Sequence, residues 1–561
     1  MPDNPGNAML EENLVETFGA SLRNHWPASC FSDLGGSAIS YGDVANRIFR
    51  LHHIFDRLGM ERGDRVALVG RNTVNWAVTY LATVSYGAVI VPILPDFTPG
   101  EIEHLVRHSG AKLMVAAPGI FDGLDPEHME PLQGVFGLLD MGLIWHRNTS
   151  LPGIVKGADT GYVEQFRDRL SRETLTFGAL GGDTLAAIVY TSGTTGFSKG
   201  VMLTHNALMA NVQHFSVCVE LKAEDRIVSF LPLAHAFGCS FDFLAPFACG
   251  CHVVFVEQIP SPKILVAAFE EHRPVVVMSV PLIIEKIYRN RIRPIIETPR
   301  MRTMLKIPGL NRFLRAKLRD KIYEVFGGNY RELVIGGAAL NREVEAFFRL
   351  IGLNITCGYG MTECGPLISY TVSADQPPLG SVGRMIPHLE CRIHRPDPAT
   401  GIGEVHVRGE NVMLGYYRDE EATSAAIDPD GWLYTGDLGH LDDEGFLYLT
   451  GRCKNMILSA SGQNIYPEEI ESRINNLPCV EESLVIDHGG KLVALVYPDL
   501  EAMDRACLKD RQMQELMETN RQQLNEDLPS YARISEMRIM FEEFEKTPTR
   551  KIKRTLYTAA T

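Results

Sequence analysis

Tyr190-Thr191-Ser192-Gly193-Thr194-Thr195-Gly196-Phe197-Ser198-Lys199-Gly200 packs Thr and Ser hydroxyls, three glycines and one lysine into eleven residues. An apolar run, Ala186–Val189, precedes it, and a second, Val201–Thr204, follows. Glycines let backbone N–H groups approach an anion, hydroxyls donate further hydrogen bonds, and a lysine neutralises charge. That is the chemistry of a polyphosphate cradle. The stretch is not a Walker A loop, because Gly-x4-Gly-Lys-Ser/Thr is absent and Lys199 is followed by Gly200. A surface linker is the plain alternative; the strands predicted on either side favour a functional loop.

Outward from this loop, residues 40–360 alternate short apolar runs with helical patterns. Strands are predicted at Arg65–Gly70, Ala88–Leu94, Lys112–Ala116, Ile227–Leu231, His252–Val256, Val275–Val280 and Leu333–Ile335. Thr98-Pro99 gives an N-cap and a first-turn proline to a helix ending near Ser109-Gly110. Strand–helix alternation predicts α/β layers with largely parallel sheets. Beyond Pro378 the texture becomes β-rich, with Gly403–Arg408 and Gly445–Leu449 as examples. A smaller unit follows Lys454: a helix at Pro467–Leu477, a hairpin across Gly489-Gly490, a polar helix over 501–525 and a basic tail at Lys546–Arg554. The expected fold is α/β: a large domain of layered α/β subdomains plus a β-rich subdomain, residues 1–453, and a small mobile α+β domain, residues 454–561.

With 561 residues the chain exceeds one compact core. A net charge of −15 argues against general binding to nucleic acid or to anionic membrane. The eleven scattered cysteines show no zinc-like spacing, so reduced thiols are expected. The N-terminus lacks the basic and apolar stretches of a signal peptide, and no run of about 18 apolar residues occurs. The composition suits a cytoplasmic protein.

Further segments follow in order: Leu231-Pro232-Leu233-Ala234-His235, Gly336-Gly337-Ala338-Ala339, Tyr359-Gly360-Met361-Thr362-Glu363, Tyr434-Thr435-Gly436-Asp437, Gly451-Arg452-Cys453-Lys454 and Lys551. Together with the loop they resemble the adenylate-forming (AMP-binding) superfamily, and most nearly its bacterial long-chain fatty acyl-CoA synthetases. The likeness spans about residues 40–555. Ser198 stands where the family has proline. The resemblance implies that Thr191, Ser192, Gly193, Thr194, Thr195, Gly196 and Lys199 hold the ATP phosphates. It implies that Gly337, Ala338, Ala339, Tyr359, Gly360 and Thr362 surround the adenine side, and that Asp437 and Arg452 take the ribose. Glu363 and Thr191 would hold Mg²⁺, an oxygen-seeking ion that bridges phosphate oxygens.

The same resemblance implies that Lys551 stabilises charge as a carboxylate attacks the α-phosphorus. Lys553 is the competing assignment, because Arg550 stands where the family usually has glycine before the lysine. Lys454 matches the hinge position. The loop Leu458–Asn464, with Gly462, would serve the thiol half-reaction. His235 would line the path between acyl pocket and thiol, with a satisfied core histidine as the alternative.

Two regions bear on the substrate. Asp242, in Phe241-Asp242-Phe243-Leu244, is a partial match to the acidic residue with which amino-acid-activating domains pair an amine. Residues 286–321 carry twelve Lys/Arg against Glu297 and Asp320, interleaved with apolar residues. They resemble the basic helical insert of long-chain fatty acyl-CoA synthetases, and offer contact with an anionic membrane or the CoA phosphates or, equally, a solvated face. The expected reaction is fatty-acid activation to acyl-AMP and transfer to CoA, by a monomer or homodimer. Adenylation of an aryl or amino acid, transfer to an acyl carrier protein, or an inactive nucleotide-binding regulator are the alternatives.

Overall fold

The computed structural model describes residues 10, 13–162, 170–191, 198–296, 298–304, 307, 309–459, 463–505, 508, 510–547 and 551–558. The chain divides into two compact units. One is built on Met1–Thr191, Ser198–Cys391 and Val407–Leu433; the other on Arg392–His406 and Tyr434–Thr561.

The first unit is organised around an eight-stranded sheet. Its centre is parallel: Leu185–Thr191, Val89–Ile93, Arg65–Val69, Leu113–Ala116 and Gly134–Gly137 lie in that order. Val89–Ile93 and Leu113–Ala116 are buried along their whole length. That is why they read as unbroken apolar runs rather than alternating ones. The sheet turns antiparallel at both ends, where Lys199–Thr204 pairs with Leu185–Thr191 and Leu143–His146 with Gly134–Gly137. Hairpins need no crossover helix, so consecutive strands there run oppositely. The helix Val74–Tyr86 is apolar almost all round and is buried along nearly its whole length.

Local signals decide the helix ends. Thr98 and Glu101 form a capping box at the start of Pro99–Ser109, and Gly110 closes it at φ +68°. A cap of this kind contributes about 1 kcal/mol.

A second sheet in this unit is fully parallel, with Glu332–Ile335 between Val276–Ser279 and Ile355–Cys357. The basic stretch 286–321 is helical in pieces: Arg293–Ile296, Pro299–Met304 and Leu310–Val325. Pro294 and Pro299 fall in the first turns of the first two pieces, where the missing N–H of proline costs no helix bond.

Most residues of a four-stranded sheet, Leu389–His394, Gly403–Gly409, Leu433–Leu441 and Leu447–Arg452, belong to the second unit. That unit also holds a three-stranded sheet in which Lys491–Pro498 pairs antiparallel with Val480–His488 and parallel with Ile534–Ile539. Pro467–Ile474 and Asp510–Asp527 pack on this sheet through Ile470, Ile474, Met513 and Met517. The polar helix expected over 501–525 is two helices, Leu500–Arg505 and Asp510–Asp527. The Leu508 N–H reaches back to the Met503 carbonyl at 3.1 Å, a five-residue step that ends the first. The α/β layering expected from sequence is present; the mixed central sheet is less parallel than the rhythm implied.

Candidate functional site

In the first unit, Thr191 ends one strand of a hairpin and Lys199 begins the other, in register with each other. Ser192, Gly193, Thr194, Thr195 and Gly196 lie outside the described residues. The base of the hairpin is heavily buttressed. The Tyr190 hydroxyl is hydrogen-bonded to His108 Nδ1 at 2.7 Å, and His108 packs edge-on against Tyr417. The Tyr417 N–H donates to the Gly200 carbonyl at 2.7 Å. Burial, with His104 and Arg418 nearby, holds the His108 pKa below that of a free imidazole and so favours its neutral form.

Lys199 and Glu363 meet at one ring. The Tyr416 hydroxyl donates to Glu363 Oε1 at 2.9 Å, and Lys199 Nζ lies 4.7 Å from the centre of the Tyr416 ring. Burial and the Glu363 carboxylate both raise the Tyr416 pKa, which keeps it a donor. Glu363 sits in the turn Thr362–Cys364, and its carbonyl accepts the Met413 N–H at 2.8 Å.

The residues expected around adenine follow two strands of the parallel sheet. Gly336–Ala339 leaves the carboxyl end of Glu332–Ile335, and Gly358–Gly360 leaves that of Ile355–Cys357. The Gly358 N–H donates to the Ile335 carbonyl at 2.9 Å, which draws the two exits together. Ligand crevices form at such carboxyl ends in open α/β sheets. Gly337, at φ +86°, Ala338 and Ala339 are exposed, whereas Tyr359 keeps only 8% of its surface. Gly360 crosses the Pro366 carbonyl so closely that no Cβ would fit.

His235 caps the short helix Ala236–Gly238 and is half-buried. Its segment is aligned by Asn72. The Asn72 side-chain amide donates to the Leu231 carbonyl at 2.8 Å, and its oxygen accepts the Leu233 N–H at 3.0 Å. The Leu231 N–H donates to Asp242 Oδ2 at 3.4 Å. Asp242 is fully buried, and burial raises its pKa far above the carboxylate range. Its burial favours the neutral form, and one carboxyl oxygen ties it to a backbone turn.

In the second unit, Asp437 and Arg452 face each other in register on adjacent strands, with Arg452 Nε 2.6 Å from Asp437 Oδ1. Asp437 is held from behind, since its N–H donates to Thr435 Oγ1, which donates in turn to the Val405 carbonyl. The Gly436 N–H donates to Glu404 Oε1 at 3.1 Å. Lys454 is exposed in the turn Cys453–Asn455. The loop at Leu458–Asn464 is a hairpin between Ile457–Leu458 and Asn464–Ile465; Gly462 lies outside the described residues. Lys551 is exposed, its backbone tied to Thr547; Lys553 Nζ is 3.9 Å from Glu545.

Sequence reasoning missed Tyr416, His108, Asn72 and Glu404. The pair Tyr416-Tyr417 was visible as adjacent aromatics, but nothing in its spacing tied it to Glu363.

A family model described as AMP-binding enzyme matches residues 20–417, and one described as AMP-binding enzyme C-terminal domain matches 454–561. The chain belongs to the AMP-binding enzyme family. Among its relatives, a putative acyl-CoA synthetase, YngI, of Bacillus subtilis (strain 168) is 30% identical, over 77% of this chain and 76% of its own. The long-chain-fatty-acid–CoA ligase FadD15 of Mycobacterium bovis is 29% identical, over 83% of this chain and 78% of its own. The ATP-bound crystal structure of MatB from Rhodopseudomonas palustris has a TM-score of 0.75 at 24% identity, covering 98% of this chain and 99% of that one. An anthranilate CoA ligase, AuaEII, with anthranoyl-AMP gives 0.77 at 19%, over 100% and 99%. These structural likenesses establish the AMP-binding enzyme fold.

Proposed function

We propose that this AMP-binding enzyme is a fatty acid–CoA ligase acting on medium- to long-chain acids. A carboxylate oxygen attacks the α-phosphorus of Mg²⁺-bound ATP and expels pyrophosphate. The CoA thiolate then attacks the acyl carbonyl and AMP leaves. Thr191 and Glu363 have the oxygen donors a hard cation takes, and Lys199 offers a cation to the phosphates. Asp437 and Arg452 hold the ribose, Lys551 stabilises the charge developing in the first step, and Lys454 is the hinge.

The observation that carries the adenylation chemistry is the convergence of Lys199 and Glu363 on the Tyr416 ring, which links the base of the phosphate hairpin to the metal-binding carboxylate. The name of FadD15, a long-chain-fatty-acid–CoA ligase, supports a fatty acid. The burial of Asp242 supports it too, because it disfavours the ionised carboxylate that an amino-acid substrate needs for its ammonium group. The basic helix Leu310–Val325 suits contact with an anionic membrane holding such acids: Arg312, Lys317, Arg319 and Lys321 are exposed beside Phe313, which is 59% exposed.

The deciding experiment is pyrophosphate release across fatty, aryl and amino acids, with and without CoA. Turnover is expected to be greatest with medium- to long-chain fatty acids, with AMP and acyl-CoA formed together. Robust turnover of an aryl or amino acid alongside silence from every fatty acid overturns the substrate assignment.

A further inference from the structure

Lys551 lies on a segment fastened at two points. On its N-terminal side, Lys546 Nζ is 2.9 Å from Glu482 Oε2, on the strand Val480–His488. On its C-terminal side, Arg554 Nη2 is 2.7 Å from Glu471 Oε2, on the helix Pro467–Ile474, and Arg554 Nη1 donates to the Val485 carbonyl at 3.1 Å. The Val485 N–H donates to the other Glu471 oxygen at 2.7 Å. Arg554, Glu471 and Val485 therefore close a ring in which both carboxylate oxygens of a buried glutamate are satisfied.

Between the fastenings the backbone returns on itself. Lys546 and Ile552 form an antiparallel bridge. The Thr547 N–H donates to the Lys551 carbonyl at 2.8 Å, and the Lys553 N–H to the Glu545 carbonyl at 2.8 Å. Ile552 packs on the cluster of Leu484, Ile486, Val493, Leu495 and Phe544. In extended chain, neighbouring side chains take opposite faces, so seating Ile552 inward turns Lys551 away from the core.

We propose that Arg554 is a positioning residue for Lys551: its two-point grip on Glu471 and Val485 fixes the base from which the lysine projects. The proposal rests on the assignment of Lys551 above. An electrostatic catalyst works when its charge is already in place, because a side chain that must be reordered during the reaction forfeits part of the stabilisation. A guanidinium suits this task better than an ammonium, since its planar fork satisfies a carboxylate and a carbonyl at once. Glu468 extends the same cluster toward the hinge. Its Oε1 accepts from the Asn455 side-chain amide, next to Lys454, and lies 3.9 Å from Arg554 Nη2.

The test measures the two half-reactions in Arg554→Gln, Arg554→Lys, Lys551→Ala and the double variant Lys551→Ala/Arg554→Gln. Arg554→Gln is expected to lower kcat for pyrophosphate release about tenfold or more, with KM for ATP and acid within about twofold, because only transition-state charge loses support. Thioester formation from supplied acyl-AMP should stay within about twofold, and Arg554→Lys should recover part of the loss. The double variant should be no slower than Lys551→Ala alone, since a residue acting through the lysine has nothing left to position.

Independent, multiplying losses in the double variant overturn the proposal, as does a folded Arg554→Gln with parental adenylation. Equal losses in both half-reactions reduce Arg554 to a structural role and overturn it too. If Arg554→Gln does not fold, Arg554→Lys carries the same comparison. Lys551→Ala with intact adenylation refutes the lysine assignment itself, a result distinct from all of these.

Discussion

The Tyr416 hydroxyl donates to Glu363 at 2.9 Å while the Lys199 ammonium lies over the same ring. One aromatic residue thus aligns a cation and an anion that stand 164 positions apart in the sequence. If Glu363 holds the metal, Glu363→Gln should lower Mg²⁺-dependent pyrophosphate release by about a hundredfold or more, by loss of the charge that binds the cation. Tyr416→Phe removes only the orienting hydrogen bond to a carboxylate, of about 2 kcal/mol, and should cost at most about thirtyfold. A Tyr416→Phe enzyme as impaired as Glu363→Gln would show that the hydroxyl does more than orient.

The Asp437–Arg452 pair makes a sharper prediction about nucleotide binding. Asp437 is nearly buried and braced by Thr435, so Asp437→Asn keeps its shape and loses its charge. KM for ATP should rise about tenfold, consistent with a charge-assisted hydrogen bond to ribose, with KM for the acid unchanged. Steady-state kinetics with each substrate varied in turn would check it. A change confined to the acid would remove Asp437 from the ribose site.

Stability should fall on the acid side of neutrality. Burial lowers His52 and His205 from the ordinary 6.5 to about 4. Both bind a proton less readily folded than unfolded, so their contribution is fully present above about pH 6.5. It is lost as pH falls from there toward 4, by up to about 3 kcal/mol each. Urea denaturation at pH 7.5 and 5.0 should show the midpoint dropping, and His52→Gln should flatten the drop. An unchanged slope in that variant would contradict the assignment to His52.

Because Asp242 is fully buried and accepts the Leu231 N–H, Asp242→Asn should leave the order of preference among acids unaltered. An enzyme that pairs this carboxyl with a substrate amine would instead lose its amine-bearing substrate outright. The acid panel run on both proteins separates the two.

Membrane contact predicts co-sedimentation with anionic liposomes, weakened by salt as exposed charges are screened. Replacing Arg312, Arg315, Lys317 and Arg319 with alanine should abolish it and leave turnover of a soluble acid unaffected. Unchanged sedimentation would make this a solvated face.

Much of the fold was legible because its signals are local. Val89–Ile93 is apolar throughout since both faces are covered, and Thr98-Pro99 and Gly110 mark a helix by their own backbone chemistry. The family motifs were equally legible, each being a short contiguous word. What escaped was whatever depends on distant residues meeting. No spacing joins His108 to Tyr190, or Tyr416 to Glu363, because the sheet order that brings them together is set by the whole unit. The burial that raises the Asp242 pKa is likewise a property of its surroundings, not of Phe241-Asp242-Phe243.

Asn72 does for the His235 segment what a neighbouring strand would do, giving and taking a backbone hydrogen bond from one side chain. This limits where the gene can be recombined. A chimera that imports residues 229–244 from a relative brings in a turn whose polar groups were matched to that relative's own residue at this position, not to Asn72. Crossovers that carry both stretches together should yield working pockets more often than those that cut between them.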